Sequence, residues 1–159
     1  MAARLGAVSA DHLDFADDGD LTAMAAAGTI AVLLPGCAIT LGNKDFPNAR
    51  RLLQAGVRVA LSTDFNPGTS MTQDLLLMGT LAVSHMGMTV AEAWAAVTRD
   101  AASALGRGDT VGRLAPGFLG DLVLFDCADS REPFYDYSDA HVEVVVKRGV
   151  VEWDARQRT

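Results

Sequence analysis

Two side chains stand where chemistry could be done. Asp64 closes the apolar run Val57-Arg-Val-Ala-Leu-Ser-Thr, and Phe65-Asn66-Pro67-Gly68-Thr69-Ser70 follows at once, so a carboxylate falls where a buried strand breaks into a turn. His12 ends a shorter strand-like piece, Val8-Ser9-Ala10-Asp11. A carboxylate accepts protons and hydrogen bonds, an imidazole can accept or donate, and the N–H groups of a turn can face a ligand. In α/β sheets and barrels such groups act at the carboxyl ends of the strands. Each residue also has a plainer reading. A strand-end Asp is often a turn former, Asn-Pro-Gly is a good turn in its own right, and a lone His is often structural. Cys37 follows another strand end and is read first as a buried thiol that could line the same place.

The elements that would carry these residues alternate. Leu21, Met24 and Ala25 recur at helical spacing between Asp20 and Ala27, and Gly28 suits the position past a helix end. Thr29 to Leu34 is a continuous, β-branched apolar run that stops at Pro35-Gly36, as expected of a strand buried on both faces. A polar loop from Thr40 to Asp45 precedes a second helix, with Pro47 as its first residue and Gly56 as its stop, and Val57 to Leu61 is the next buried strand. Helix and strand alternating through short glycine joints implies parallel strands with right-handed crossovers, so His12, Gly36 and Asp64 should share one rim. A helix is expected over Met71 to Met86, with its Met and Leu stripe in the core, and another from Thr89-Val-Ala-Glu92 through to Leu105. After Gly106 the texture changes: turn-rich sequence, a strand at Leu122 to Phe125, a polar link from Asp126 to Ala140, and a hairpin of Val142 to Val146 and Val150 to Trp153 around Lys147-Arg-Gly149. The acidic run Asp14 to Asp20 reads as a solvated loop.

Composition narrows the classes of function. The chain has 159 residues, 50% of them hydrophobic, which is one ordinary core and too little for a whole (β/α)8 barrel of roughly 250 residues. Lys and Arg number 13 against 20 Asp and Glu, a net charge of −7 and a pI near 4.7, with no basic stripe, which argues against nucleic acid and anionic membrane as partners. No apolar run reaches the ~18 residues of a spanning helix, and Met1 to His12 lack the order of a signal peptide, so a cytoplasmic protein is expected. Cys37 and Cys127 are far apart and read as two buried, reduced thiols.

Four stretches carry a resemblance. Ser9-Ala-Asp-His12-Leu13, Ala31-Val-Leu-Leu-Pro35-Gly36, Ser62-Thr-Asp64-Phe-Asn66-Pro-Gly68-Thr69 and Gly117-x-x-Gly120-Asp121-Leu-Val-Leu-Phe125 resemble, in register and in order, the imidazolonepropionase family of metal-dependent amidohydrolases. The Thr-Asp-Phe-Asn-Pro-Gly-Thr string is specific to that family, and the Gly-Asp-Leu-Val string is common to many amidohydrolases. The fold implied is α/β: the C-terminal part of a (β/α)8 TIM barrel, about strands 6 to 8, over residues 1–108, then a small β-sandwich segment over 109–159. The resemblance implies Asp64 as ligand of one zinc or iron ion and as proton carrier, and His12 as the histidine that holds substrate and attacking water. It implies Asn66, Gly68 and Thr69 as substrate or product contacts. The reaction implied is hydrolysis of the cyclic amide 4-imidazolone-5-propanoate, a small-molecule substrate, to N-formimidoyl-L-glutamate in histidine degradation, with the metal lowering the pKa of an attacking water to about 7.

The family's remaining metal ligands and its propionate-holding residues have no counterpart here; His85 and His141 match none of them. The chain is therefore expected to be a carboxyl-terminal part that needs an amino-terminal half, inactive and without tight metal on its own, with a homodimer open for the complete enzyme. The alternatives are another cyclic amidohydrolase or deaminase on the same barrel, and a non-catalytic remnant or half.

Overall fold

A computed structural model describes residues 1–138 and 141–157. Its first part is a parallel sheet of three strands, β1 (Ser9–Asp11), β2 (Ile30–Leu33) and β3 (Val59–Leu61), in that spatial order. Asp11 lies opposite Val32 and Leu33 opposite Leu61, so the three carboxyl ends face one rim. Pairing runs one residue further on each side, where the His12 N–H donates to the Val32 carbonyl and the Ser62 N–H to that of Leu33. The sheet is apolar because it is covered: Ile30, Ala31, Leu33, Val59, Ala60 and Leu61 are each 3% exposed or less.

Helices α1 (Asp18–Ala27), α2 (Pro35–Thr40) and α3 (Ala49–Gln54) fill the crossovers. The acidic run is half helix rather than loop. Asp17 is the N-cap, its side chain accepting from the Asp20 N–H while Asp20 reaches back to the Asp17 N–H, and negative charge suits a first turn. Pro35 opens α2 at its first turn, where a missing N–H costs nothing, so the strand end read from Pro35-Gly36 is also a helix start. Pro47 is not helical: the Asn48 side chain caps α3 by accepting from the Arg51 N–H, a stronger signal than the proline just before it.

Helix α4 (Leu75–His85) begins at the Asp74 cap, later than the apolar stripe suggested, which leaves Met71 70% exposed while Met78, Leu81 and Met86 are buried. The long helix expected from Thr89 is two, α5 (Val90–Val97) and α6 (Arg99–Ala104), broken at Thr98 with φ −126° and ψ −89°. Gly112 packs into that break: a Cβ there would lie 2.9 Å from the Thr98 carbonyl oxygen and 2.6 Å from the Ala102 Cβ.

The second part is an antiparallel sheet of β4 (Leu122–Phe125), β5 (Val142–Lys147) and β6 (Val150–Asp154), with a bulge in each pairing. The link before β5 holds a short helix, α7 (Glu132–Tyr135), and its last two residues, Asp139 and Ala140, lie outside the described residues. Aromatic packing joins the two parts: the Phe134 ring lies 4.4 Å from that of Trp94, whose Nε1 donates to the Ser130 carbonyl, and Phe125 meets the same indole edge-on. Both cysteines are free; Cys37 is buried, and Cys127 only partly so, contrary to expectation. Among the described residues no helix is long and apolar enough to cross a membrane.

Candidate functional site

Asp64 and His12 sit where two strands end, and both have left-handed backbone, at φ 50° and 67°. Leu13 follows at φ 66°. Such backbone costs an L-residue about 1 kcal/mol or more, tolerated best by Asp, Asn and His, and it concentrates at functional sites. At both positions the chain turns sharply off the sheet, which sets the side chain at the rim instead of on a sheet face.

The loop after Asp64 is organised by one amide. Asn66 Oδ1 accepts from the N–H groups of Gly68 and Thr69, both at 2.8 Å, while Nδ2 donates to the Asp64 carbonyl at 2.7 Å, to Asp64 Oδ2 at 3.2 Å and to Thr69 Oγ1 at 3.1 Å. Two backbone bonds between Asn66 and Ser70 close the loop. Ser70, 2% exposed, donates its hydroxyl to the Thr63 carbonyl, and its Oγ would lie 2.7 Å from a Cβ at position 36. Glycine at 36 leaves room for this hydroxyl, since a Cβ there would force the Ser70 side chain away from the Thr63 carbonyl or shift the loop that carries it.

Cys37 completes the cluster from the α2 side. Its Sγ donates to Asp64 Oδ2 at 2.8 Å and lies 3.6 Å from Thr69 Oγ1. Burial pushes the thiol pKa up, and accepting by the Asp64 carboxylate adds to the shift, so the group is a protonated donor and not a nucleophile. A cleft of about 460 Å³ is lined by His12, Asp14, Cys37, Lys44, Phe46 and Thr69 among others, which places the imidazole and the threonine on one cavity with Asp64 joined to it through the thiol. His12 is exposed, with Nδ1 4.0 Å from an Asp14 oxygen.

Of the residues picked from sequence, Asp64, Asn66, Gly68 and Thr69 are thus one hydrogen-bonded unit and His12 shares the cleft with Thr69. Among the described residues no hydrogen bond joins His12 to Asp64. The Gly68 N–H is taken by Asn66, so a ligand contact at Gly68 would use its carbonyl or its lack of a side chain. Sequence reasoning missed the tie of Cys37 to Asp64 and the packing of Ser70 on Gly36. The signal for the second was there, a glycine just past one strand end and a small hydroxyl in the loop after another.

A metal needs more than this set. Asp64 offers one carboxylate, and among the described residues no group of three or more His, Cys, Asp or Glu side chains is placed to hold an ion. A catalytic zinc site takes three protein ligands and an open position, so the residues present do not by themselves fit the ion.

Comparison with known proteins puts this geometry in context. The chain is 51% identical over 151 residues to imidazolonepropionase of Geobacillus kaustophilus, covering 95% of this chain and 35% of that protein. It is 46% identical to that of Bacillus velezensis over 94% of this chain and 35% of the relative, and 44% identical to that of a Polaromonas species over 99% and 37%. The chain therefore spans about a third of the length of the curated relatives it matches. Among solved structures, an adenosine deaminase of Xanthomonas campestris with bound zinc superposes with a TM-score of 0.82 at 24% identity, over 96% of this chain and 39% of that one. Atrazine chlorohydrolase of Arthrobacter aurescens complexed with zinc gives 0.80 at 20%, over 92% and 36%. These two likenesses concern the fold. The amidohydrolase family model matches residues 6–151, nearly the whole length, and the chain accordingly belongs to the amidohydrolase family.

Proposed function

We propose that this chain is the carboxyl-terminal part of an imidazolonepropionase, hydrolysing the cyclic amide of 4-imidazolone-5-propanoate to N-formimidoyl-L-glutamate in histidine degradation. The observation that carries the reading is the Asp64–Asn66–Thr69 loop at the sheet rim, in a chain 51% identical to an enzyme of that name. On this reading β1, β2 and β3 are about strands 6 to 8 of a (β/α)8 barrel within residues 1–108, and β4 to β6 are the carboxyl-terminal contribution to a β-sandwich within 109–159. The other strands and the remaining metal ligands belong to the amino-terminal part of such an enzyme, with which this chain would associate.

Zinc or iron, held by Asp64 together with those further ligands, would supply Lewis acidity. This chain's own residues do the rest. Asp64 takes the proton of the attacking water and passes it to the ring nitrogen as the C–N bond of the cyclic amide breaks and the water oxygen joins the carbonyl carbon. His12, which lines the same cleft as Thr69, orients water and substrate. Thr69 contacts the substrate, and Asn66 holds Asp64 and Thr69 in mutual register while contacting the product together with Gly68.

The test uses a completed protein: this chain co-expressed with the segment of the Geobacillus kaustophilus relative that it does not match. Imidazolone hydrolysis that disappears in Asp64→Asn supports the proposal, and equal activity in the two proteins refutes it.

A further inference from the structure

The proposed reaction leaves the Cys37 thiol without a task, although it makes a close contact with the residue that carries the proton. Cys37 is 7% exposed, and its Sγ lies 2.8 Å from Asp64 Oδ2. The same oxygen accepts from Asn66 Nδ2 at 3.2 Å, so donors from two elements, α2 and the loop after β3, converge on Oδ2. Among the described residues no side-chain donor reaches Oδ1. This asymmetry matters because the last torsion of an aspartate is broad and roughly two-fold, leaving an unheld carboxylate free to turn. Asp64 is only half-buried and its backbone is left-handed, so packing alone does little to fix the plane.

We infer that Cys37 is a positioning residue for Asp64: with Asn66 its S–H pins Oδ2, fixing the carboxylate plane and so the direction in which Oδ1 faces. Thr69 Oγ1, 3.6 Å from Sγ, is the other acceptor within the thiol's reach, and the shorter contact to Asp64 Oδ2 takes the S–H. A thiol serves because it can donate one hydrogen bond in an apolar setting while filling the space of a small hydrophobe. The inference rests on the proposed role of Asp64, and its test separates the two.

In the completed protein, Cys37→Ala removes the donor and Cys37→Ser keeps one. Loss of a partner that orients a reacting carboxylate lowers activity by about tenfold, so the expected result is a tenfold lower kcat for Cys37→Ala, with KM within about twofold of wild type, and recovery of most of the loss in Cys37→Ser. The second readout needs no turnover. The S–H stretching band of Cys37, assigned by infrared difference against Cys37→Ser, should move to higher frequency in Asp64→Asn, because a neutral amide is a weaker acceptor than a carboxylate. Wild-type kcat in Cys37→Ala, a Cys37→Ser variant no better than Cys37→Ala, or a band unmoved by Asp64→Asn would each overturn the inference. If wild type hydrolyses no imidazolone, the functional proposal has failed, and the band alone decides whether Cys37 pins Oδ2.

Discussion

Asn66 shows how one side chain serves both loop and site. Its amide makes hydrogen bonds to three residues, so Asn66→Ala removes the tie between the Asp64 carboxylate and Thr69 and also frees two N–H groups. A net loss of about 1–2 kcal/mol is expected in denaturant unfolding of the completed protein, since each partly solvated bond contributes about 0.5–1.5 kcal/mol and water takes up some of the freed groups. Asn66→Asp should restore the two acceptor contacts to Gly68 and Thr69 but set a second carboxylate against Asp64, and so recover less than half of that loss. Equal stability of all three proteins would show that the loop is held by its backbone alone. At this scale the sequence was informative about which residues matter and silent about how. The Thr-Asp-Phe-Asn-Pro-Gly-Thr string marks the loop, but the bonds from Asn66 back to Asp64 and on to Thr69 depend on a left-handed Asp64, which no spacing rule specifies. Cys37 was legible as a strand-end thiol, and its contact with Asp64 depends on β2 lying beside β3.

Among the elements, α4, α5 and α7 carry two predictions. Gly79 lies inside α4, where alanine would ordinarily stabilise by about 1 kcal/mol. Here a Cβ would fall 2.2 Å from a Phe134 ring carbon, with two more ring atoms within 2.8 Å, and overpacking of that kind costs about 1–3 kcal/mol. The clash outweighs the propensity, so Gly79→Ala should lower the melting temperature and Phe134→Leu in the same background should recover part of the loss. A Gly79→Ala protein that melts at or above wild type would contradict the packing described. Glu92 makes the other case. It closes the capping box of α5 with Thr89 and takes the Arg50 guanidinium, which first of all holds its carboxyl pKa near about 2, below the ordinary 4.5. A depressed carboxyl contributes stability that is fully present above the unfolded value and is lost as pH falls through the folded one. The melting temperature should therefore fall between pH 4.5 and about 2, and Glu92→Gln should flatten that limb. Arg50 and Glu92 are 36% and 31% exposed, so screening keeps the effect below what the shift alone implies. Parallel profiles for the two proteins would remove Glu92 as the cause. The elements themselves were mostly legible, because glycine stops, caps and apolar runs are local signals. The break at Thr98 was not, since it follows from Gly112 packing in from a later loop, and neither was α7, whose four residues are too few to show a period.

For the whole molecule, alternation of helix and strand was enough to infer a parallel sheet with a common rim, and the structure has both. The antiparallel tail was readable from its hairpin. The composition of a complete site was not readable, because it depends on side chains brought together in space. What this chain shows is a rim bearing Asp64, His12 and Thr69, with no cluster of three metal ligands among its described residues. The chain spans about a third of its curated relatives, and on the proposed reading, with Asp64 as one ligand of a metal site, activity should appear only when the rest is supplied. The most direct measurement is therefore imidazolone hydrolysis by this chain co-expressed with the unmatched segment of the Geobacillus kaustophilus relative, with wild type and Asp64→Asn in parallel. The account predicts turnover in wild type and a loss of at least about a hundredfold in Asp64→Asn, the scale on which a proton-transfer group contributes. Turnover that survives Asp64→Asn unchanged, or a folded assembly that hydrolyses no imidazolone, would contradict it.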